Sequence, residues 1–340
     1  MVTSTTAPPA RRPGAENLVR PVGALVDTVL GSRGCLFTFH RVAAPDRWET
    51  LPNRNFYLDL AFMDRLLGYL KRTGWSIVTI EEAMRRTRRG TAGDRFVNFS
   101  VDDCYRDTFE EVIPLFRRHG VPVTLFVTTG IPDGTLPMCW AGLEDTLLNN
   151  DRVVVRGETI AVPTSEAKRA AYDRIAAAWD QDTPELRYAE FCADNGVDAD
   201  AMDRKHAISW DMLEAVRNDP LVEIGGHTVA HRRISSLSAA EAFAEIDGCR
   251  KRLQGRLGVA ADHFAFPYGR SGDCGPRDFD IVREAGFKSG ATTRKGLVRH
   301  GQDVFRLPRV TLGGAQRHLA LAELHLTGVS GVAARVLGRV

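Results

Sequence analysis

Two short stretches carry the side chains most able to do chemistry. Phe99-Ser-Val-Asp-Asp-Cys104 places adjacent carboxylates, Asp102 and Asp103, at the end of an apolar run. Gly226-His-Thr-Val-Ala-His231 places two imidazoles four residues apart. One carboxylate and two imidazoles suffice as protein ligands for a catalytic divalent metal that keeps an open position. The second carboxylate is then left over to act as a base on water. The sum of these parts is hydrolysis.

The spacing sharpens the assignment. On an extended segment neighbouring side chains diverge, so one aspartate can meet a metal while the other faces a substrate. A separation of four residues, read as one helical turn, brings His227 and His231 to the same ion. Gly225 and Gly226, just before, permit close backbone approach.

The bulk numbers describe an ordinary globular enzyme. The chain has 340 residues, a net charge of +2, 44% hydrophobic and 26% charged residues. That balance gives no reason to expect nucleic acid as a partner, and Arg85-Arg86-Thr87-Arg88-Arg89 reads as a solvated helix end. No run approaches the ~20 apolar residues of a spanning helix. Six cysteines lack C-x-x-C spacing, so neither a zinc ribbon nor a redox motif is expected. Residues 1–16 lack the apolar core of a secretory signal and carry Pro8, Pro9 and Pro13. Together with the cysteine usage this leads to the expectation of a cytoplasmic protein.

Strand-like and helix-like segments alternate along the chain. Strands are expected at 35–39, 75–79, 95–101, 121–128, 221–225, 263–266 and 288–292. Helices are expected at 58–73, 80–89, 107–119, 238–257 and 279–285. Repeated strand–helix units build a parallel sheet, open or closed into a barrel, with its chemistry at the C-terminal strand ends. Asp102, Asp103, His227, His231 and Pro267 each follow an expected strand and so share one rim. Residues 131–206 interrupt the pattern with helices at 165–179 and 184–194, read as an insertion over the active-site face or as an added helical layer.

Together these motifs resemble the NodB-homology polysaccharide deacetylases (carbohydrate esterase family 4). Ser100-Val-Asp-Asp-Cys104 stands where the family reads Thr-Phe-Asp-Asp-Gly. His227-Thr-Val-Ala-His231 matches its His-[Ser/Thr]-x-x-His in full, and Ala265-Phe-Pro-Tyr-Gly269 stands for its Arg-x-Pro-Tyr-Gly. Phe39-His-Arg-Val42, Ser209-Trp-Asp211, the long insertion and Leu307-Pro-Arg309 match a subgroup. The resemblance covers about 37–308. It implies a distorted (β/α) barrel of the NodB type with a helical insertion. The expected layout is a flexible tail at 1–30, a deacetylase domain at 31–317 with the insertion at about 131–206, and a C-terminal helix at 318–340.

The resemblance also implies roles. Asp103, His227 and His231 would hold the metal, zinc first among candidates, and Asp102 would be the general base. A backbone N–H near Tyr268 would stabilise the oxyanion. Tyr268, Pro267, Arg41 and Trp210 are expected near the substrate, Arg41 alternatively in an ion pair. The implied substrate is an N-acetylated amino sugar, in a glycan or a small glycoside. Deformylation, O-deacetylation, hydrolysis of another amide, or a catalytically silent binding role are the alternatives.

Three departures bear on this. Cys104 replaces the motif glycine, so a positive φ there would be strained. Ala265 replaces the arginine that orients the catalytic aspartate. The family's late Leu-x-His motif is missing; His300 and His318 lack its context, and His40, just after the first strand, is the better candidate for the acid.

Overall fold

The computed structural model describes residues 32–89, 95–180 and 183–329. The expected tail and the part of the C-terminal helix beyond residue 329 lie outside the described residues.

Strand β1 (Ser32–Phe39) leads through β2 (Arg41–Ala43), the single turn α1 (Pro45–Trp48) and β3 (Tyr57–Asp59) into helix α2 (Leu60–Arg72). Next come β4 (Ser76–Ile77), α3 (Ile80–Arg89) and β5 (Phe96–Asp103). A π-helical turn, Thr108–Val112, runs into α4 (Ile113–His119), where Pro114 has no N–H to give to the preceding turn. Then follow β6 (Val123–Val127) and the short α5 (Gly130–Asp133).

The inserted segment contains α6 (Cys139–Asn149), the hairpin of β7 (Arg152–Val155) with β8 (Glu158–Ala161), α7 (Ser165–Ala178), α8 (Glu185–Asn195) and α9 (Ala199–His206). Beyond it lie α10 (Trp210–Val216), β9 (Val222–Gly226), α11 (Ala239–Leu257), β10 (His263–Ala265), α12 (Pro276–Glu284), β11 (Ser289–Ala291), β12 (Val298–Arg299), β13 (Val310–Thr311) and α13 (Leu319–Leu326). Each expected strand and helix within residues 31–317 is present, with ends shifted by a few residues, and the β7–β8 hairpin was not expected; the expected C-terminal helix starts in place but ends at Leu326, where Gly328 follows with φ +74°.

The main sheet runs β11-β10-β9-β6-β5-β1-β12, parallel except where β12 pairs with β1. It curls on itself. Leu307 bridges Ala291 in parallel, and three residues on, Val310 and Thr311 pair with Phe37 and Thr38 of β1. Residues 307–311 therefore span from β11 back to β1 and close the curl. All eight residues of β5 are buried, as expected of a parallel strand covered on both faces. Phe37, Phe99 and Phe116 pack in sequence beneath it at ring distances of 5.4 and 5.6 Å.

Local chemistry fixes the helices. Thr79 accepts from the Glu82 N–H as the expected N-cap of α3. The Glu223 carboxylate on β9 accepts from the Ile80 and Glu81 N–H groups, an anion at the positive end of the helix. Ser238 and Glu241 form a capping box at α11, and Gly258 ends that helix with φ +65°. The six cysteines are buried and free. No described helix is long and apolar enough to cross a membrane.

The inserted segment has its own apolar core, including Leu143, Leu147, Tyr172, Ile175, Trp179, Tyr188 and Phe191. It is tied to the barrel side by polar contacts. Asn53 Nδ2 donates to Tyr172 Oη at 2.9 Å, and the Asn53 N–H to Glu144 Oε1 at 2.9 Å. Arg169 donates to the Glu49 carbonyl at 2.9 Å.

His325 on α13 packs edge-on against Phe37, and burial lowers its pKa to about 4. The folded state thus favours the neutral ring, while the unfolded chain takes up a proton below about pH 6.5. That contribution to stability is intact above pH 6.5 and is lost as pH falls toward 4. The His325→Leu variant is expected to lose stability less steeply on acidification. The difference is about one proton, or about 1.4 kcal/mol per pH unit, between pH 6 and 5. Urea titrations at several pH values measure it; identical slopes would show that His325 does not contribute.

Candidate active site

The expected rim exists, and backbone strain is concentrated on it. Of seven non-glycine residues with positive φ among the described residues, five lie at the strand ends around one cavity: Asp103, Cys104, Thr228, His231 and Tyr268. Such conformations cost free energy and persist where surrounding structure enforces them. Two are tight turns of the same kind. The Cys104 N–H donates to the Asp102 carbonyl around Asp103 (φ +66°), and the Gly269 N–H donates to the Pro267 carbonyl around Tyr268 (φ +60°). Both are γ-turns with positive φ, a rare and strained form. Each stops a parallel strand abruptly and aims its central side chain into the cavity.

The Asp102–Asp103 divergence follows. Asp103 turns to the two imidazoles: its Oδ1 is 3.4 Å from His227 Nε2 and 3.2 Å from His231 Nε2. Donor atoms of these three residues all lie within 4.8 Å of one another. The Asp103 Oδ1 is buried and receives no well-directed hydrogen bond. The His227 Nδ1 lies 2.8 Å from the Ala265 carbonyl, which can only accept, so Nδ1 carries the proton and Nε2 keeps its lone pair. A buried orphan oxygen beside two imidazole nitrogens, one with its tautomer fixed, suits a divalent cation. Burial would push the Asp103 carboxyl up, but His231 and His227 hold it well below the usual range.

The path to that arrangement differs from the sequence reading. Residues 227–231 form no helical turn. Thr228 at φ +67° and His231 at φ +54° reverse the chain instead, and the rings meet 5.1 Å apart. The Val229 and Ala230 N–H groups both donate to Glu245 Oε2, at 3.0 and 2.8 Å, which pins this loop to α11. No sequence signal pointed to Glu245, because it lies on an ordinary helix.

Asp102 turns into the barrel and meets Arg309. The guanidinium donates to both carboxylate oxygens, at 2.7 and 2.8 Å, and further to Ser100 Oγ, Thr38 Oγ1 and the Thr292 carbonyl. It is fully buried and stacks over Phe126 at 5.3 Å. This is the arginine absent at position 265. It comes from the short stave that closes the curl, at the end of Leu307-Pro-Arg309. Burial acts to raise the Asp102 carboxyl, and Arg309 and then His227 outweigh it, so the group is held below its ordinary value. Two oxygens fixed by a fork-shaped donor still keep lone pairs for a water proton.

Cys104 adopts the strained conformation expected for a residue replacing glycine, with φ +69°. Its thiol is fully buried and approaches the Phe126 carbonyl at 3.6 Å. Burial, then Asp103, raises its pKa well above the usual thiol value, and its sulfur points to a backbone carbonyl and is not grouped with the Asp103, His227 and His231 donor atoms. Cys104→Gly is expected to keep activity and to change stability by no more than about 1 kcal/mol, as relieved strain offsets lost packing. Rate and unfolding measurements on the variant check this; abolished turnover would give the thiol a direct role.

His40 lines the cavity, its ring 4.5 Å from Phe56. Burial lowers its pKa, opposed by Asp103 and Asp102. His300 lies against the Thr87 carbonyl and His318 precedes α13; neither lines the cavity. Tyr268 is in the cavity, its ring 5.0 Å from His231. Pro267 sits in the turn behind it and serves to shape that turn.

Besides Pro267, which does not itself line the cavity, two expected substrate contacts lie away from it. Arg41 is buried beneath it, paired to Asp107 at 3.0 Å and sandwiched by Tyr57 and Tyr105, each 4.7 Å away. Its strand alternates, so the residue after His40 faces the other way. Trp210 donates from Nε1 to Asp133 Oδ1 at 3.0 Å and lies under Arg256. It fastens α10 to α5 and does not reach the rim.

A curled parallel sheet with a carboxylate and two imidazoles grouped at its C-terminal rim, beside a second carboxylate held by arginine, defines a barrel-type hydrolase site. Residues 89–289 match the polysaccharide deacetylase family, and the chain belongs to that family. No curated protein shows significant similarity. Among solved structures, the Streptococcus pyogenes deacetylase PplD, in complex with acetate, is similar with a TM-score of 0.57 at 15% identity, over 85% of this chain and 96% of that one. IcaB from Ammonifex degensii gives 0.55 at 17% identity, over 86% and 97%. A de-N-acetylase from Aggregatibacter actinomycetemcomitans gives 0.54 at 11%, over 85% and 98%. These likenesses establish the fold.

Proposed function

We propose that the protein is a metal-dependent deacetylase that releases acetate from an N-acetylated amino sugar. The observation that carries this is the juxtaposition at one cavity of the Asp103–His227–His231 donor set with Asp102, a carboxylate kept ionised and oriented by Arg309. A divalent metal held by the three residues supplies Lewis-acid polarisation of the acetamide carbonyl and makes water more acidic. Zinc suits one carboxylate and two imidazoles.

The chain's own residues divide the proton work. Asp102 accepts a proton from the attacking water as the C–O bond forms at the carbonyl carbon. The Tyr268 backbone N–H is proposed to donate to the oxygen that gains charge. As the C–N bond breaks, the proton that Asp102 took from water is passed to nitrogen through His40, whose ring rests neutral because burial lowers its pKa; an amide anion is a very poor leaving group. The products are acetate and a free amine, and one water is consumed. Arg309 takes no proton; it holds Asp102 in place.

His231→Ala is expected to lose the metal, since two remaining donors make a weak site. Metal content after dialysis against zinc measures it. Full occupancy in the variant would remove His231 from the ligand set. His40→Ala is expected to slow amide hydrolysis by about 10²-fold or more while sparing an activated ester, whose leaving group needs no proton. Equal losses on both substrates would show that His40 is not the acid.

A further inference from the structure

The cavity beside Asp103 has a volume of about 470 Å³. Its floor is a ring of strand ends: His40 after β1, Asp102 and Asp103 of β5, His227 and His231 after β9, Tyr268 after β10, Thr293 after β11 and Thr311 of the closing stave. Ten of its twenty-three lining residues belong to the inserted segment 131–206. They include Leu136, Pro137, Met138 and Trp140 before and at the start of α6, Tyr172 of α7, and Glu185 at the start of α8.

The insertion leaves the barrel after β6, between β5 and β9 in the sheet. It crosses to the opposite connection, where Tyr172 accepts from Asn53, and Arg169 donates to Glu49. It therefore walls the arc that runs from β6 over β5 to β1. At the wall's entry the Gly130 N–H donates to the Val229 carbonyl at 2.8 Å, and the two ends of the insertion are tied to each other: the Met138 N–H donates to Asp203 Oδ1 at 2.7 Å, and Lys205 pairs with Asp145 at 2.6 Å. Its separate apolar core makes it a rigid block and not a loose flap. The remaining side, over β10 and β11, has the exposed Arg270 at its rim.

A residue inside a polymer needs an open groove on both sides of the reacting sugar. A cavity blind over β5 and β1 cannot provide one. Resting on the deacetylase reading above, we infer that the enzyme acts on a free or chain-terminal N-acetylated amino sugar, whose single aglycone leaves past Arg270, and not on internal residues of a polysaccharide. The blind end is the side that specifies the substrate. Its apolar wall, with the half-buried Trp140 ring, contacts the sugar's apolar face, while Asn53 and Glu185 are the polar groups placed to meet hydroxyls.

The test is acetate release by the zinc-loaded full chain from matched substrates built of the same N-acetylated amino sugar. These are the free sugar, its aryl glycoside, a tetramer and a long polymer. The expected result is turnover of sugar and glycoside, and from the tetramer and polymer no more than one acetate per chain end. Trp140→Ala is expected to lower kcat/KM for the glycoside about tenfold, through KM, with Trp140→Phe restoring most of it. Acetate released along the whole polymer, with the small substrates inert, overturns this inference and leaves the deacetylase reading standing. No acetate from any of the four overturns both.

Discussion

Asp102→Asn is expected to lower acetate release by about 10²- to 10⁴-fold, the usual contribution of a positioned general base. Bound metal should be unchanged, because the proposed donor set is Asp103, His227 and His231. The division rests on the turn at Asp103. Its positive φ sends that side chain to the imidazoles, while Asp102 keeps the strand's alternation and enters the barrel. The variant also leaves the Arg309 guanidinium buried without its counter-charge, so it should be less stable. Metal analysis and single-turnover rates separate the effects. Loss of metal with Asp102→Asn would mean that the two aspartates have exchanged roles.

Arg309→Met should be nearly as damaging, and for a different reason. The side chain is fully buried and every nitrogen is used: two bonds to Asp102, and others to Ser100, Thr38 and the Thr292 carbonyl. Removing it strands a carboxylate in the interior, a loss of about 3–5 kcal/mol of stability. It also frees the base to move, and a displacement of about 1 Å costs on the order of 10²-fold in rate. Arg309→Lys should rescue little, since one ammonium cannot reproduce a fork to two oxygens. The double variant Asp102→Asn with Arg309→Met should be more stable than the sum of the single losses predicts, because each single change leaves a charge unpaired. Denaturant unfolding of the three variants and the parent measures this. Strict additivity would show that the pair is not coupled, and wild-type turnover by Arg309→Met would show that Asp102 needs no such partner.

The sequence carried the alternation of elements, and with it the rim. The parallel strands are short apolar runs and the helices have capped ends, so both were legible in local patterns. The grouping of Asp103, His227 and His231 was legible for the same reason: its members lie within two short motifs. What could not be read was geometry that depends on partners distant in the chain. Arg309 lies 207 residues from Asp102, and nothing local distinguishes it from a surface arginine. Yet the empty place at Ala265 and the Leu307-Pro-Arg309 motif together contained the answer. His227 and His231 meet as expected but through two left-handed residues and the Glu245 anchor. Spacing alone cannot separate such a loop from a helical turn.

Arg41 and Trp210 show the opposite error. Both lie beside true rim elements in sequence, and proximity suggested contact. Arg41 follows His40 on a segment whose side chains alternate, so it faces a buried ion network with Asp107 and Glu144. Trp210 caps a packing contact with Asp133 at the far edge of the insertion. For the insertion itself, sequence indicated two helices but not its direction of travel. That direction depends on contacts from Tyr172 and Arg169 to the segment around Asn53.

The most direct test of the central claim measures metal and acetate together. Purified protein is stripped with a chelator, reloaded with zinc, and assayed against N-acetylated amino-sugar glycosides. The account predicts about one zinc per chain, bound through three donors, with acetate released only by the loaded protein. Failure to bind zinc, or equal acetate release by the stripped protein, would contradict it.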